Sequence, residues 1–338
     1  MRAIVYSESG GPDVLRLVDR TPREPGPGEV RVRIRVSGVN PTDWKSRGGT
    51  APGGEQVPNQ DGAGVVDAVG PGSRFAVGDR VWVWDAAYQR ADGTAQEQGV
   101  VPERQVVLLP DDASFDLGAA LGIPALTAHL ALRAAEETPL PLAPGELAGR
   151  TVLVAGGAGA VGHAAIELAV WAGARVITTV SSPAKAALAR AAGAHEVVDY
   201  RAEDAAAAIG RLAPEGVHLV VEVNPNANAE LDAQVLAPGG VIAVYATDTP
   251  EPLSFAVRPF MGKNLRWRFL LTYTVPEAEK DAAVAGVQAA VAAGVLRVGE
   301  EAGLPITRFR LERTADAHEA VASGTTGKVL IDVSEDGA

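Results

Sequence analysis

Residues 151–180, TVLVAGGAGAVGHAAIELAVWAGARVITTV, restrict the fold more than any other stretch of this 338-residue chain. An apolar run, 151–155, meets Gly157-x-Gly159-x-x-Gly162, then a segment with helical apolar spacing, then a second apolar run, 175–180. That order reads strand, glycine turn, helix, strand. The first glycine permits a tight turn, the second lets backbone approach a pyrophosphate, and the third lets the helix pack closely on the strand. A phosphate would then sit against the unpaired N–H groups and positive dipole end of the helix. A glycine turn that serves packing alone is the plainer alternative. The strand–turn–helix–strand setting favours a dinucleotide site.

The end of the second strand bears on which dinucleotide. A site for the unphosphorylated coenzyme usually places Asp or Glu about 20 residues past the first glycine, where it accepts from the ribose 2′-OH. Here the sequence is Thr178-Thr179-Val180-Ser181-Ser182-Pro183-Ala184-Lys185, without an acid. A carboxylate would repel a 2′-phosphate, whereas hydroxyls and an ammonium attract one. NADP(H) is therefore the better match. Ser182-Pro183 also reads as a helix start, so Lys185 reads equally as a solvated helix residue.

The chain is long enough for two domains, each with its own core. Thirty Lys and Arg against 42 Asp and Glu give a net charge of −12, which argues against nucleic acid or an anionic membrane as a general partner. The basic run 263–268, KNLRWR, is too short to alter that. With no cysteine, disulfides and thiolate zinc sites are excluded. The chain starts in a strand-like segment without a leader pattern, and no uninterrupted apolar run approaches a membrane span. The expected compartment is the cytoplasm.

Two textures divide the sequence. Up to about residue 109, short β-patterned runs (3–6, 30–36, 64–68, 80–84, 106–109) are separated by Pro and Gly clusters, as in a small all-β unit. From about 118 to 246, helical and buried-strand patterns alternate, as in a doubly wound parallel sheet. Strands are expected at 152–155, 176–180, 196–199, 219–223 and 241–246, with alanine-rich helices at 184–192 and 281–293. A last strand at 328–333 is expected to return to the first unit.

Several ordered motifs carry a family resemblance. They are Val39-Asn40-Pro41-Thr42-Asp43, Gln60-Asp61-Gly62-Ala63-Gly64-Val65-Val66, Val77-Gly78-Asp79-Arg80-Val81 and Ile123-Pro124-Ala125-Leu126-Thr127-Ala128. The glycine turn, Gly193-Ala194-His195-Glu196-Val197-Val198-Asp199-Tyr200, Leu236-Ala237-Pro238-Gly239-Gly240 and Gly327-Lys328-Val329 complete the set. Over nearly its whole length the chain resembles the zinc-independent medium-chain dehydrogenase/reductases, the quinone oxidoreductases related to zeta-crystallin. The resemblance implies an α/β protein: a GroES-like β-rich catalytic domain, 1–125 with 261–338, around an inserted Rossmann domain, 126–260.

It also implies roles. Ser181, Lys185 and Tyr200 match positions that hold the 2′-phosphate of NADPH, and Ala158, Ala160 and Val161 line the pyrophosphate turn with its glycines. Asn228, Tyr245, Ala246 and Thr247 match positions near the adenine or nicotinamide ends, with Phe269, Leu270 and Leu271 as an apolar wall. Asn40 and Thr127 match residues close to the nicotinamide, and Lys45 stands where many relatives carry tyrosine. Asn40 also reads as a turn residue before Pro41, and Tyr200 as an edge tyrosine. Zinc-dependent cousins carry a histidine–glutamate pair where Gln60-Asp61 stands, and the five histidines lack ligand spacing, so no metal is expected. Each histidine reads as core or surface structure, with substrate contact an alternative only for His129, just after Thr127; Asp43 and Asp61 read as loop supports.

The implied activity is hydride or electron transfer from NADPH to a quinone or similar conjugated carbonyl, with few protein acids or bases. Thr127 is a candidate proton donor, and Tyr273 is better read as structural. An enal, enone or enoyl-thioester reductase is the alternative within enzymes, and a non-catalytic NADPH-binding protein the alternative outside them. The resemblance also implies pairing through the edge of the Rossmann sheet, where 241–246 and 265–274 would supply strands, so a homodimer is expected.

Overall fold

The computed structural model describes residues 1–49 and 53–334. The chain forms two compact units, Met1–Ile123 with Pro305–Ala338, and Pro124–Leu304.

The first unit opens with a two-stranded ribbon, β1 (Arg2–Val5) against β2 (Arg16–Asp19). Then follow β3 (Glu29–Val39), helix α1 (Pro41–Gly48), β4 (Asp61–Val69), β5 (Arg80–Val83), β6 (Gln98–Pro102) and β7 (Val106–Leu108). Apolar residues alternate along β3, so Val30, Val32 and Ile34 share one buried face with Val66, Val81 and Val83.

Helix α2 (Phe115–Leu132) follows. Its length and mean hydropathy match those of a membrane span, although Asp116 and His129 interrupt its apolar run, and 83% of it is buried inside the protein. It is a core helix: a run apolar on every side needs surrounding packing, which here the protein supplies.

The second unit begins with β8 (Thr151–Ala155), α3 (Ala160–Trp171), β9 (Arg175–Val180), α4 (Pro183–Ala191) and β10 (Glu196–Asp199). It continues through α5 (Ala205–Leu212), β11 (Val217–Glu222), α6 (Pro225–Val235), β12 (Leu236–Val244), α7 (Val257–Lys263), β13 (Arg266–Phe269) and α8 (Glu277–Ala292). Its six strands are all parallel, in the order β10-β9-β8-β11-β12-β13. Counted from β8 this is 3-2-1-4-5-6, the Rossmann order, and its switch point lies between β8 and β11. Leu153, Ile177, Val198, Val220 and Ile242 fill the core against α5 and α6.

The chain then returns to the first unit with β14 (Ile306–Arg310), α9 (Thr314–Ala322) and β15 (Lys328–Asp332). β15 pairs antiparallel with β3 and parallel with β14, so the last strand completes the first unit's sheet. The second boundary therefore falls at 304/305 rather than at 260/261. The reason is β13, which adds in parallel to β12 and keeps residues 261–304 with the Rossmann sheet. The basic run 263–268 is largely consumed inside this unit. Lys263 Nζ donates to the carbonyls of Gln234 (2.8 Å) and Leu236 (2.7 Å), and Arg268 pairs with Glu279.

Candidate functional site

The turn after β8 is built by backbone. The N–H groups of Gly156 and Gly157 both donate to the Thr179 carbonyl (3.1 and 3.2 Å), and Gly159 N–H returns to the Gly156 carbonyl at 3.0 Å. Gly156, at φ +69°, makes the turn, correcting the assignment of that role to Gly157. Gly157 is needed for a different reason: a Cβ there would lie 2.1 Å from Thr178 Oγ1. A Cβ on Gly162 would come within 2.4 Å of the Gly156 carbonyl oxygen, so the third glycine does set close helix–strand packing. Gly159 differs from both. A Cβ there meets only the Gly156 oxygen, at 3.5 Å, and the residue is exposed. Packing therefore does not demand glycine at 159, whereas a phosphate drawn against the backbone would. Gly159 caps α3, whose first turn has no acidic side chain, and the first-turn N–H groups have no intrahelical acceptor. Ala160 and Val161 are half-buried beside it, and Ala158 is buried. The residues present fit a pyrophosphate.

The carboxyl ends of β9 and β10 lie together, with Asp199 opposite Val180 in register and Tyr200 N–H bonded to the Val180 carbonyl at 3.1 Å. Ser181 follows β9 directly, and Tyr200 follows β10. Tyr200 is 51% exposed, so its hydroxyl is not held in the core. Ser182 caps α4 by accepting from Lys185 N–H at 3.3 Å, which places Lys185 in the first turn. The helix-start reading is thus correct for the backbone. The Lys185 ammonium has no partner among the described residues.

Beyond the switch point, Tyr245, Ala246, Thr247, Phe269, Leu270 and Leu271 line one open cavity of 570 Å³. Phe269 (66%) and Leu271 (55%) are exposed, whereas Leu270 (6%) is buried and bonds through its N–H to the Val244 carbonyl. Phe269 and Leu271 are thus the exposed members of the expected apolar wall. Asn228 lies on α6 and donates from Nδ2 to Glu222 Oε1 at 3.0 Å.

Glu222 and Asp232 are absent from the expected site, yet both are fully buried. Glu222 Oε1 also accepts from Asn224 N–H, but its Oε2 and both Asp232 oxygens lack hydrogen-bond partners among the described residues. Burial pushes both acids up, Asp232 well above the ordinary range with the nearby Glu222 charge adding to it. Tyr245 is also raised, by burial and by the Glu222 charge. Thr127 is buried, its hydroxyl 2.7 Å from that of Thr272.

In the first unit, Asn40 follows β3 directly and is the N-cap residue of α1. Its N–H donates to Asp43 Oδ2 at 2.7 Å, its Nδ2 donates to Asp61 Oδ2 at 2.7 Å, and its Oδ1 accepts from Lys328 Nζ at 2.6 Å. Asp61 also accepts from the Ile123 N–H at 3.0 Å. Asn40, Asp43, Asp61 and Lys328 are all buried. Burial lifts Asp43 to about 7, helped by the Asp61 charge, and lifts Asp61 to about 6 against the pull of Lys328. Lys45 is exposed on α1, its Nζ 5.7 Å over the Trp44 ring.

All five histidines hold backbone or side-chain positions. His129 Nε2 accepts from Leu142 N–H at 2.8 Å, and burial lowers its pKa to about 4, so it stands neutral. His195 and His218 accept from the N–H groups of Val176 and Thr151, His163 meets Glu167 and the Arg297 carbonyl, and His318 lies between Arg47 and Asn59. Among the described residues no three acidic or histidine side chains converge as a metal site.

A parallel sheet in Rossmann order with a glycine turn at its switch point, in a chain whose other unit is β-rich and closed by the last strand, defines a medium-chain dehydrogenase/reductase, an oxidoreductase. Within that class the chain belongs to the quinone oxidoreductase family. Residues 26–111 match the alcohol dehydrogenase GroES-like domain, and 160–289 match the zinc-binding dehydrogenase domain. A quinone oxidoreductase of Pseudomonas aeruginosa is 34% identical, with 98% of this chain and 99% of the relative covered. Among solved structures, Escherichia coli quinone oxidoreductase complexed with NADPH aligns with a TM-score of 0.81 at 26% identity, over 98% of this chain and 100% of the other. An NAD-dependent alcohol dehydrogenase aligns with a TM-score of 0.85 at 29% identity, over 99% and 100%.

Proposed function

We propose that the protein is an NADPH-dependent reductase of quinones or similar conjugated carbonyl compounds. The observation that carries this reading is the acid-free segment after β9, with Ser181 directly after the strand, Lys185 in the first turn of α4 and Tyr200 tied through its N–H to the Val180 carbonyl. A hydroxyl, an ammonium and a phenol suit a 2′-phosphate, and no carboxylate follows β9 to prefer a free ribose hydroxyl. The E. coli quinone oxidoreductase complexed with NADPH supports the same choice, and the similarity to an NAD-dependent enzyme makes it a choice worth measuring.

NADPH, when bound, supplies the hydride. The chain's own contribution is positioning. The Gly156–Gly162 turn offers backbone N–H groups to the pyrophosphate, and the 570 Å³ cavity lined by Phe269 and Leu271 offers apolar surface. Asn40 acts at the acceptor, and Lys45 and Asn228 serve at its margins and at the coenzyme. Thr127, paired with Thr272, is the hydroxyl available for proton delivery. The reaction takes place in the cytoplasm, without metal, in a homodimer formed along the β13 edge.

The test is acceptor-dependent NADPH oxidation with product analysis. Hydroquinone or semiquinone supports the proposal, and a saturated C–C bond from an enone or enoyl thioester replaces it by the alternative. Tight NADPH binding without turnover of any quinone or enone would leave only a binding protein.

A further inference from the structure

We infer that Lys328 is a positioning residue for Asn40, holding its amide, together with Asp61, so that one N–H alone is left to donate to the oxygen of the acceptor. This rests on the reading that Asn40 acts at the acceptor.

Antiparallel pairing sets the placement. β15 runs against β3 with Val329 opposite Val39, so Lys328 stands opposite Asn40 although 288 residues separate them. Two glycines make the room. A Cβ on Gly38 would meet Lys328 Cε at 3.2 Å, and one on Gly122 would lie 2.1 Å from Asp61 Oδ1. The pairings then fix the amide. An ammonium can only donate and a carboxylate only accept, so Oδ1 must face Lys328 Nζ (2.6 Å) and Nδ2 must face Asp61 Oδ2 (2.7 Å). Rotating the amide by half a turn would set donor against donor and acceptor against acceptor. Asp61 takes one Nδ2–H, so the fixed amide keeps one N–H to donate, on the side away from Lys328. An ammonium on Oδ1 polarises that remaining N–H, as linked hydrogen bonds do.

Stability does not account for the arrangement. Lys328 is 1% exposed and Asp61 0%, and their charges lie 3.9 Å apart. A buried ion pair at that separation gains little over apolar side chains of the same volume. What the pair does provide is a single amide orientation, which suits the oxygen of a conjugated carbonyl as negative charge develops on it.

The test is a double-mutant cycle on kcat with p-benzoquinone, or with an enone if that is the acceptor turned over. NADPH dissociation constants and melting temperatures are measured on the same variants. We expect N40A and K328M each to lower kcat roughly tenfold or more, as loss or misdirection of a donor to developing charge does. NADPH affinity should stay within about twofold, and N40A/K328M should be no slower than N40A, because Lys328 acts through Asn40. K328M leaves Asp61 unpaired; where it fails to fold, K328M/D61N removes both charges and is read with N40A/K328M/D61N. Multiplicative losses in the cycle overturn the inference, as does a folded K328M/D61N with wild-type kcat. If N40A itself keeps wild-type kcat, or no acceptor turns over, the reading of Asn40 falls and the inference with it.

Discussion

Asp232→Asn isolates the proton that the Rossmann core holds on a buried acid. In the unfolded chain an aspartate releases its proton near its ordinary value of 3.8; in the folded protein burial and the Glu222 charge raise that value well above it. The stabilisation tied to the bound proton is therefore complete below 3.8 and is lost as pH rises toward the raised value. Across that interval the folded state carries one proton more than the unfolded state, and wild-type stability falls by about 1.4 kcal/mol per pH unit from this group. The amide in D232N carries an N–H where the protonated acid carries O–H, and it does not titrate. Urea unfolding of both proteins at pH 5 and pH 6, followed by circular dichroism, gives a double difference that reports the Asp232–Glu222 pair, because the remaining ionising groups cancel. D232N should gain stability relative to wild type over that pH unit, with about 1.4 kcal/mol as the upper limit for one proton. Parallel pH dependences would refute the buried-proton account.

The glycine turn separates into two kinds of position. Gly162→Ala should cost about 1–3 kcal/mol of stability, because its Cβ meets the Gly156 carbonyl at 2.4 Å. Gly159→Ala should leave the melting temperature nearly unchanged, its Cβ meeting protein only at 3.5 Å, while weakening NADPH binding in a fluorescence titration. Equal effects of the two substitutions on both readouts would remove the distinction. Light scattering at micromolar concentration should give twice the chain mass, since β13 leaves one side of the parallel sheet as an edge.

Much of the second unit was legible because its signals are local. Most of the Rossmann strands are short apolar runs, and β10 matches its expected span residue for residue. The acid-free segment after β9 could likewise be read directly from sequence. Other features depend on information that a linear reading lacks. Two adjacent glycines, 156 and 157, look alike until φ shows which one turns the chain. β13 carries alternating Arg and aromatic residues that resemble a basic surface run, and only pairing with β12 assigns it to the Rossmann sheet. Glu222 ends a strand and Asp232 sits on a helix, where acids are ordinarily solvated; their burial is a tertiary fact. Lys328 appeared as part of a terminal motif, and its tie to Asn40 emerges only when β15 pairs with β3.

Coenzyme choice is where the account is most exposed to measurement. Dissociation constants for NADPH and NADH, measured by fluorescence titration on wild type and K185A, test it directly. Binding should favour NADPH in the wild type, and K185A should weaken NADPH by about tenfold or more, the worth of a charge-assisted bond, while leaving NADH unchanged. Equal affinity for the two coenzymes, with both indifferent to the loss of Lys185, would contradict the proposed phosphate pocket.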